Sequence, residues 1–225
     1  MIIDLGLIDY ERAYRLQKEL VGRRKMGGAC DSIIFAEHYP VFTIGRAGKK
    51  TSLIIDESVL DKYGIKVLNV DRGGDITFHG PGQLVIYPVV DLTAHGRDLH
   101  RYLRLLEEAA IRSLAGYSIS ADRIEGKTGA WVSGKKIASI GIAAADWITY
   151  HGISINVNVD LQFFSMIRPC GMENIEMTSM ACILRKNIDI DTMKRNVFSE
   201  LKALLNLRED RFGSFYPYER YPALA

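Results

Sequence analysis

The side chains best suited to chemistry in this sequence are Cys170, Lys136 and those of residues 71–82. Cys170 lies between Pro169 and Gly171, neighbours that break regular structure and can present a thiol beside free backbone N–H groups. The thiolate is the nucleophilic form of cysteine, and a nearby His or Lys favours it. Packing of a small apolar side chain is the alternative at this position. Lys136 opens the apolar run KIASIGIAA, where packing does not call for a lysine. It is either the partner of such a thiol or a strand-edge charge directed to water. Residues 71–82 read DRGGDITFHGPG. Glycine in such a stretch supplies positive φ or lets a ligand approach the backbone, because no Cβ stands in the way. The stretch reads as a binding loop carried on a sheet, or as a long hairpin connection.

Other candidate chemistry fails on spacing. The run GRAGKK at 45–50 lacks the four-residue gap and the Lys-Ser/Thr ending of a phosphate loop. Gly80-Pro81-Gly82 has no third glycine placed for a dinucleotide fingerprint. Histidines 38, 79, 95, 100 and 151 show no metal-ligand spacing, and His95 and His100 read as surface residues. Cys30 and Cys182 read as packing.

The elements that must position these residues follow in order. Asp9 caps a helix to about Val21, ended by Gly27-Gly28. Strands are expected at 32–36 and 41–44, and Asp56 caps a short helix through Tyr63. Strands at 66–70 and 84–90 flank the glycine-rich stretch. Asp98 opens an amphipathic helix with Leu99, Tyr102, Leu103, Leu106 and Ala110 on one face. Strands at 130–132 and 136–142 surround the turn Ser133-Gly134-Lys135. In 151–160, Ile153, Ile155, Val157 and Val159 alternate with Ser154, Asn156 and Asn158. A helical turn or two at 161–167 and a last helix at 192–205 complete the pattern. Strands, helices and then more strands predict an α/β (α+β) fold, a mixed sheet covered by helices.

Composition sets the outer bounds. At 225 residues, one domain over 1–225 with a core at about 30–205 is the expectation. A net charge of +2 gives no argument for nucleic acid. The basic clusters Arg23-Arg24-Lys25 and Lys49-Lys50 read as solvated surface. Charged residues come too early for a secretory segment, and no apolar run has the roughly 20 residues of a membrane span. Three cysteines without a CxxC argue against a disulfide scaffold or zinc site. A cytoplasmic chain with reduced thiols is expected.

Taken together, five segments resemble the octanoyltransferases of lipoate biosynthesis, the lipoyl(octanoyl) transferase or lipoate-protein ligase B family. They are EHYPVFTIGRAG (37–48), RGGDITFHGPGQLVIYP (72–88), GAWVSGKKIASIGI (129–142), HGISINVNVDL (151–161) and RPCGMENIEMTSM (168–180). The resemblance implies the fold shared by biotin and lipoate protein ligases, with an acyl chain held along a mixed sheet. It places the family's nucleophile on Cys170 and its acid/base lysine on Lys136, not Lys135. It places acyl binding on Arg72, Gly73, Gly74, Asp75, Ile76, Thr77, Phe78 and His79, on Ser139, Ile140 and Gly141, and on Gly152, Ile153 and Ser154. Phe78 departs from the tyrosine usual there, and Ser154 from a small apolar residue.

The implied reaction moves an octanoyl group from octanoyl-acyl carrier protein to a lysine of a lipoyl domain, through a Cys acyl-thioester. Implied partners are acyl carrier protein, the lipoyl domains of 2-oxoacid dehydrogenase complexes and glycine cleavage H protein. No ATP, metal or other cofactor, no membrane and no nucleic acid are expected, and a monomer is. Two other readings remain open at this point: an ATP-dependent lipoate or biotin protein ligase, and a non-catalytic acyl-carrier-binding module.

Overall fold

The computed structural model describes residues 1–168, 175–207 and 216–217. Cys170, with Pro169 and Gly171, lies outside them. The chain runs β1 (Ile2–Ile8), α1 (Tyr10–Lys25), β2 (Ser32–His38), β3 (Val41–Ile44), α2 (Glu57–Lys62), β4 (Lys66–Asn69), β5 (Ile76–His79) and β6 (Gln83–Val89). It continues through α3 (Leu99–Ala115), β7 (Asp122–Ile124), β8 (Lys127–Val132), β9 (Lys135–Ala145), β10 (Ile148–Asn156), α4 (Met180–Leu184), α5 (Ile190–Leu204) and β11 (Tyr216–Pro217).

An eight-stranded mixed sheet, ordered β11-β1-β2-β6-β10-β9-β8-β7, forms the body, and a three-stranded sheet, β4-β3-β5, sits beside it. This is the mixed sheet with covering helices expected from the strand and helix order. β6 and β10 are buried along their whole length, because both faces of the central sheet are covered. On one face α1 lays Ala13, Leu16 and Leu20 against Ile34, Val85 and Tyr150. On the other, α3 and α5 bring Tyr102, Leu106, Ala110, Val197 and Leu201 onto Ile86, Ile153 and Ile155. Phe42, Phe78 and Phe164 make a third core under the small sheet.

The helix starts follow from their caps. The Asp9 carboxylate accepts from the amides of Glu11 and Arg12, Asp98 from Arg101, and Asp189 from Asp191 and Thr192. Each satisfies amides that the first turn leaves without a helical partner. α5 therefore starts at Ile190, two residues earlier than the periodicity around Thr192 indicated. Residues 76–79, read as part of a loop, form β5 antiparallel to β3, with Thr77 opposite Thr43. β1 was not anticipated from its sequence. Its alternation is broken by a register shift between Asp4 and Leu7, where Gly6 adopts φ +56°. No helix among the described residues is long and apolar enough to cross a membrane.

Candidate active site

A cavity of about 290 Å³ opens between the main sheet, the segment 72–79 and the start of β8. It collects residues from β5, β6, β8, β9 and β10. All the substrate-binding residues expected from sequence line it except Phe78. Neighbours in a strand point to opposite faces, so Thr77 and His79 reach the cavity while Phe78 turns away. The Phe78 ring is 1% exposed and stacks on Phe163 with centroids 4.4 Å apart. The departure from tyrosine at 78 therefore puts no altered group on the cavity wall. Gly152 lies opposite Gly141, and Ser154 opposite Ser139. Small residues there keep the strand surface low, which leaves room for a slender chain or a packed side chain. Arg72 uses part of that room. A Cβ at Gly141 would stand 2.9 Å from Arg72 Cδ, and the guanidinium donates to the Thr43 carbonyl at 2.7 Å.

Lys136 lines the same cavity, and an irregularity in β9 puts it there. Ala130 pairs with Ala138, but the next residue of β8, Trp131, pairs with Lys136. Ile137 is thus an extra residue in β9, the signature of a β-bulge. Ile137 and Ala138 both enter the core with α3. Lys136 falls on the other side, toward Ser139 and Gly141. In an unbroken strand it would share the face of Ala138. Its backbone is held by the chain that follows the undescribed stretch: Lys136 N donates to Glu176 O at 2.8 Å, and Thr178 N to Lys136 O at 2.9 Å. The Lys136 ammonium lies 5.3 Å from the centre of the Trp131 ring. Lys135 is half-exposed and pairs with Glu176 at 2.6 Å, away from the cavity.

Ile167, just before the undescribed stretch that contains Cys170, and Ile175, just after it, both line the cavity. Cys30 and Cys182 are exposed thiols, not the packing residues expected from sequence. Cys30 sits between α1 and β2, and Cys182 lies on α4, which buries Met180 instead.

Tyr10, Tyr87, His79 and His151 also line the cavity; Tyr87 and His151 lie inside two of the resembling segments without having been assigned to the site, and Tyr10 lies outside all five. Their protons can be placed from their partners. His38 Nδ1 must donate to the Ile8 carbonyl at 3.0 Å, so its Nε2 accepts from Tyr87 O–H at 2.6 Å. His151 Nε2 donates to the Asp71 carboxylate at 2.8 Å, which leaves Nδ1 to accept from Tyr10 O–H at 3.4 Å. His79 Nδ1 donates to Gln83 Oε1 at 2.6 Å, because the Gln83 amide nitrogen donates to Phe78 O and Asn156 Oδ1. The three rings are neutral. Burial holds His38 and His151 down to about 4, the latter against the pull of Asp71, and His79 well below its usual value. Burial would raise Asp71, but hydrogen bonds from His151, Tyr150 and Tyr14 bring it to about 2.

These imidazoles make stability depend on pH. In the unfolded chain they bind a proton near pH 6.5, and in the folded chain His38 and His151 bind one only near pH 4. Between those values the unfolded state holds more protons, so stability falls as pH falls. The loss is of order 1 kcal/mol per pH unit for each ring. Asp71 contributes with the same sign only below its ordinary carboxylate range. Thermal unfolding measured from pH 7 to 4.5 should show a falling midpoint. A flat profile would contradict neutral, buried rings.

A family model for the lipoyl protein ligase A/B catalytic domain matches residues 9–202. The chain belongs to that family. An octanoyltransferase of Geobacter metallireducens is 44% identical over 208 residues, spanning 92% of this chain and 94% of its own. The chain's fold is the family's. A bipartite lipoate protein ligase from Thermoplasma acidophilum superposes with a TM-score of 0.71 at 18% identity, covering 95% of this chain and 87% of that one. Biotin protein ligase from Aquifex aeolicus, in complex with biotin and ATP, superposes at 0.59 with 14% identity, covering 91% and 70%.

Within this family fold the two glycines of the 72–74 segment have different duties. Gly73 N donates to Ile142 O at 2.9 Å, docking the segment on β9. A Cβ at Gly73 would meet only that carbonyl, at 3.5 Å. Gly74 has φ +84°, which a β-branched residue cannot adopt without strain. Gly73→Ala should therefore retain activity, whereas Gly74→Val should lose roughly 10²-fold in transfer, the scale of a misplaced site. Steady-state transfer with unfolding midpoints tests this. Equal effects at both positions would contradict the distinction.

Proposed function

We propose that the chain is an octanoyltransferase of protein lipoylation, taking octanoyl from acyl carrier protein and passing it to a lysine of a lipoyl domain through an acyl-thioester on Cys170. One observation carries the reading: Lys136 and both flanks of the stretch holding Cys170 line a single cavity. A relative named octanoyltransferase, 44% identical over 94% of its own length, supports it.

The Cys170 thiolate attacks the carbonyl carbon of the donor thioester. The C–S bond to the carrier breaks, and the carrier's thiolate leaves and takes a proton from the Lys136 ammonium, which becomes the amine. Thioester is exchanged for thioester, so this half is near balance. The lysine amine of the acceptor then attacks the acyl-enzyme and forms an amide. The Cys170 thiolate leaves, and the proton of the incoming amine passes to a base. That half runs downhill because an amide is more stable than a thioester. Lys136 fits both halves: as an ammonium it favours the thiolate, and as an amine it accepts the proton. Such a pair titrates as a unit. The donor is already activated, so the reading needs neither ATP nor a metal. The resemblance to this family also supports lipoyl domains of 2-oxoacid dehydrogenase complexes and glycine cleavage H protein as acceptors, with the enzyme acting as a cytoplasmic monomer.

The test is the intact mass after incubation with octanoyl-acyl carrier protein, without nucleotide. One octanoyl adduct that a lipoyl domain then removes is expected. Acylation that requires free octanoate and ATP would make the chain a ligase. No adduct and no transfer under either condition would leave a binding module.

A further inference from the structure

The Lys136 side chain crosses directly over a glycine. A Cβ built on Gly129 would stand 2.6 Å from Lys136 Cε and 2.5 Å from the Ala138 carbonyl oxygen. Real Cβ atoms do not approach so closely, so the lysine stem occupies space that only glycine leaves. Gly129 also has φ +130°, a backbone conformation that residues with a Cβ rarely adopt. Its amide donates at 3.0 Å to Oε1 of Glu107, a carboxylate of α3 that is 0% exposed. The other oxygen, Oε2, accepts from Arg104 at 2.6 Å and Arg123 at 3.1 Å. A fully buried carboxylate is thus divided between two arginines, which offset its charge, and one backbone amide.

We infer that Gly129, held by Glu107, is a positioning residue for Lys136. The bulge at Ile137 turns the lysine toward the cavity. The bare Cα of Gly129 then provides the surface along which its stem runs, and Glu107 fixes where that surface lies. This assignment rests on the reading of Lys136 as the partner of Cys170.

The experiment measures the pH midpoint of alkylation at Cys170, followed by peptide mass because exposed Cys30 and Cys182 also react. Lys136→Met is the reference. Removing the cation should move the midpoint up toward the ordinary thiol value of about 8.5. Gly129→Ala should move it in the same direction with Lys136 still present, and should slow octanoyl transfer at least about tenfold. Glu107→Gln leaves Gly129 unchanged. A glutamine has a single acceptor oxygen, so it can serve the Gly129 amide or the arginines but not both. Its midpoint should fall between wild type and Lys136→Met.

A merely structural role would lower the unfolding temperature and leave the midpoint where it was. If Lys136→Met shifts the midpoint but folded Gly129→Ala does not, the positioning role is overturned. Should Gly129→Ala fail to fold, a wild-type midpoint in folded Glu107→Gln overturns it equally. If Lys136→Met itself leaves the midpoint unchanged, the reading of the Lys136–Cys170 pair fails instead.

Discussion

A Cys170→Ala variant given octanoyl-acyl carrier protein is expected to gain no acyl mass and to lose at least about 10³-fold in transfer to a lipoyl domain. Without the thiol, the acceptor amine must attack the carrier thioester directly. The enzyme then has to hold two macromolecular substrates at one carbonyl at the same time. The covalent route separates those encounters, and the cavity can keep the acyl chain in place between them. Cys30→Ser and Cys182→Ser should transfer at the wild-type rate, because both thiols are exposed and neither borders the cavity. The measurements are intact mass, peptide mapping of the adduct and single-turnover transfer. Wild-type transfer by Cys170→Ala would remove the covalent route and leave direct aminolysis in its place.

The helices were legible because their signals are local. Asp9, Asp56 and Asp98 each stand at the first unsatisfied amides of a helix, and a cap can be read without knowing what the helix packs against. The central strands were legible for a related reason: β6 reads as a near-continuous apolar run, as a strand covered on both faces does, and β10 was marked by the alternation of Ile153 and Ile155 with Ser154 and Asn156. What failed were features set by pairing partners far along the chain. Residues 76–79 look like loop because glycines bracket a short run. They become β5 only through β3, more than thirty residues earlier. Phe78 was drawn into the site because a contiguous motif was carried over whole, whereas its ring belongs to the core under the small sheet, stacked on Phe163.

Cys30 and Cys182 show the limit from the other side. A free cysteine is usually buried, and nothing in their neighbours opposes that prior. Only the path of the chain reveals them at the surface. The cavity's polar wall was equally hard to see. Tyr10 belongs to the buried face of α1, and in sequence its hydroxyl is no different from that of any tyrosine on a helix. Its role beside His151 depends on the contact between α1 and β10, which no local pattern encodes. The bulge at Ile137 is the clearest case. KKIASIGI reads as the same apolar run with or without an extra residue, so the face of Lys136 was decided by β8.

That bulge gives the adjacent lysines opposite expectations. Lys136→Met keeps much of the stem over Gly129 but removes both the positive charge and the group that can take a proton. It should slow transfer by about 10²–10⁴-fold, the range for loss of a general acid–base group. On the proposed reading both half-reactions should suffer, because the first would use the ammonium and the second the amine. Lys135 is 51% exposed and faces Glu176; Glu176 raises its pKa. An exposed pair of this kind contributes little, so Lys135→Met should change transfer by no more than about twofold. The two variants have the same composition and the same net charge, so bulk electrostatics cannot separate them. Only the direction of one side chain can. The decisive data are the acylation and aminolysis rates of each variant between pH 6 and 9. A large loss in Lys135→Met with wild-type rates in Lys136→Met would mean that β9 pairs with β8 one residue out of the register described, and that Ile137 is not the bulged residue.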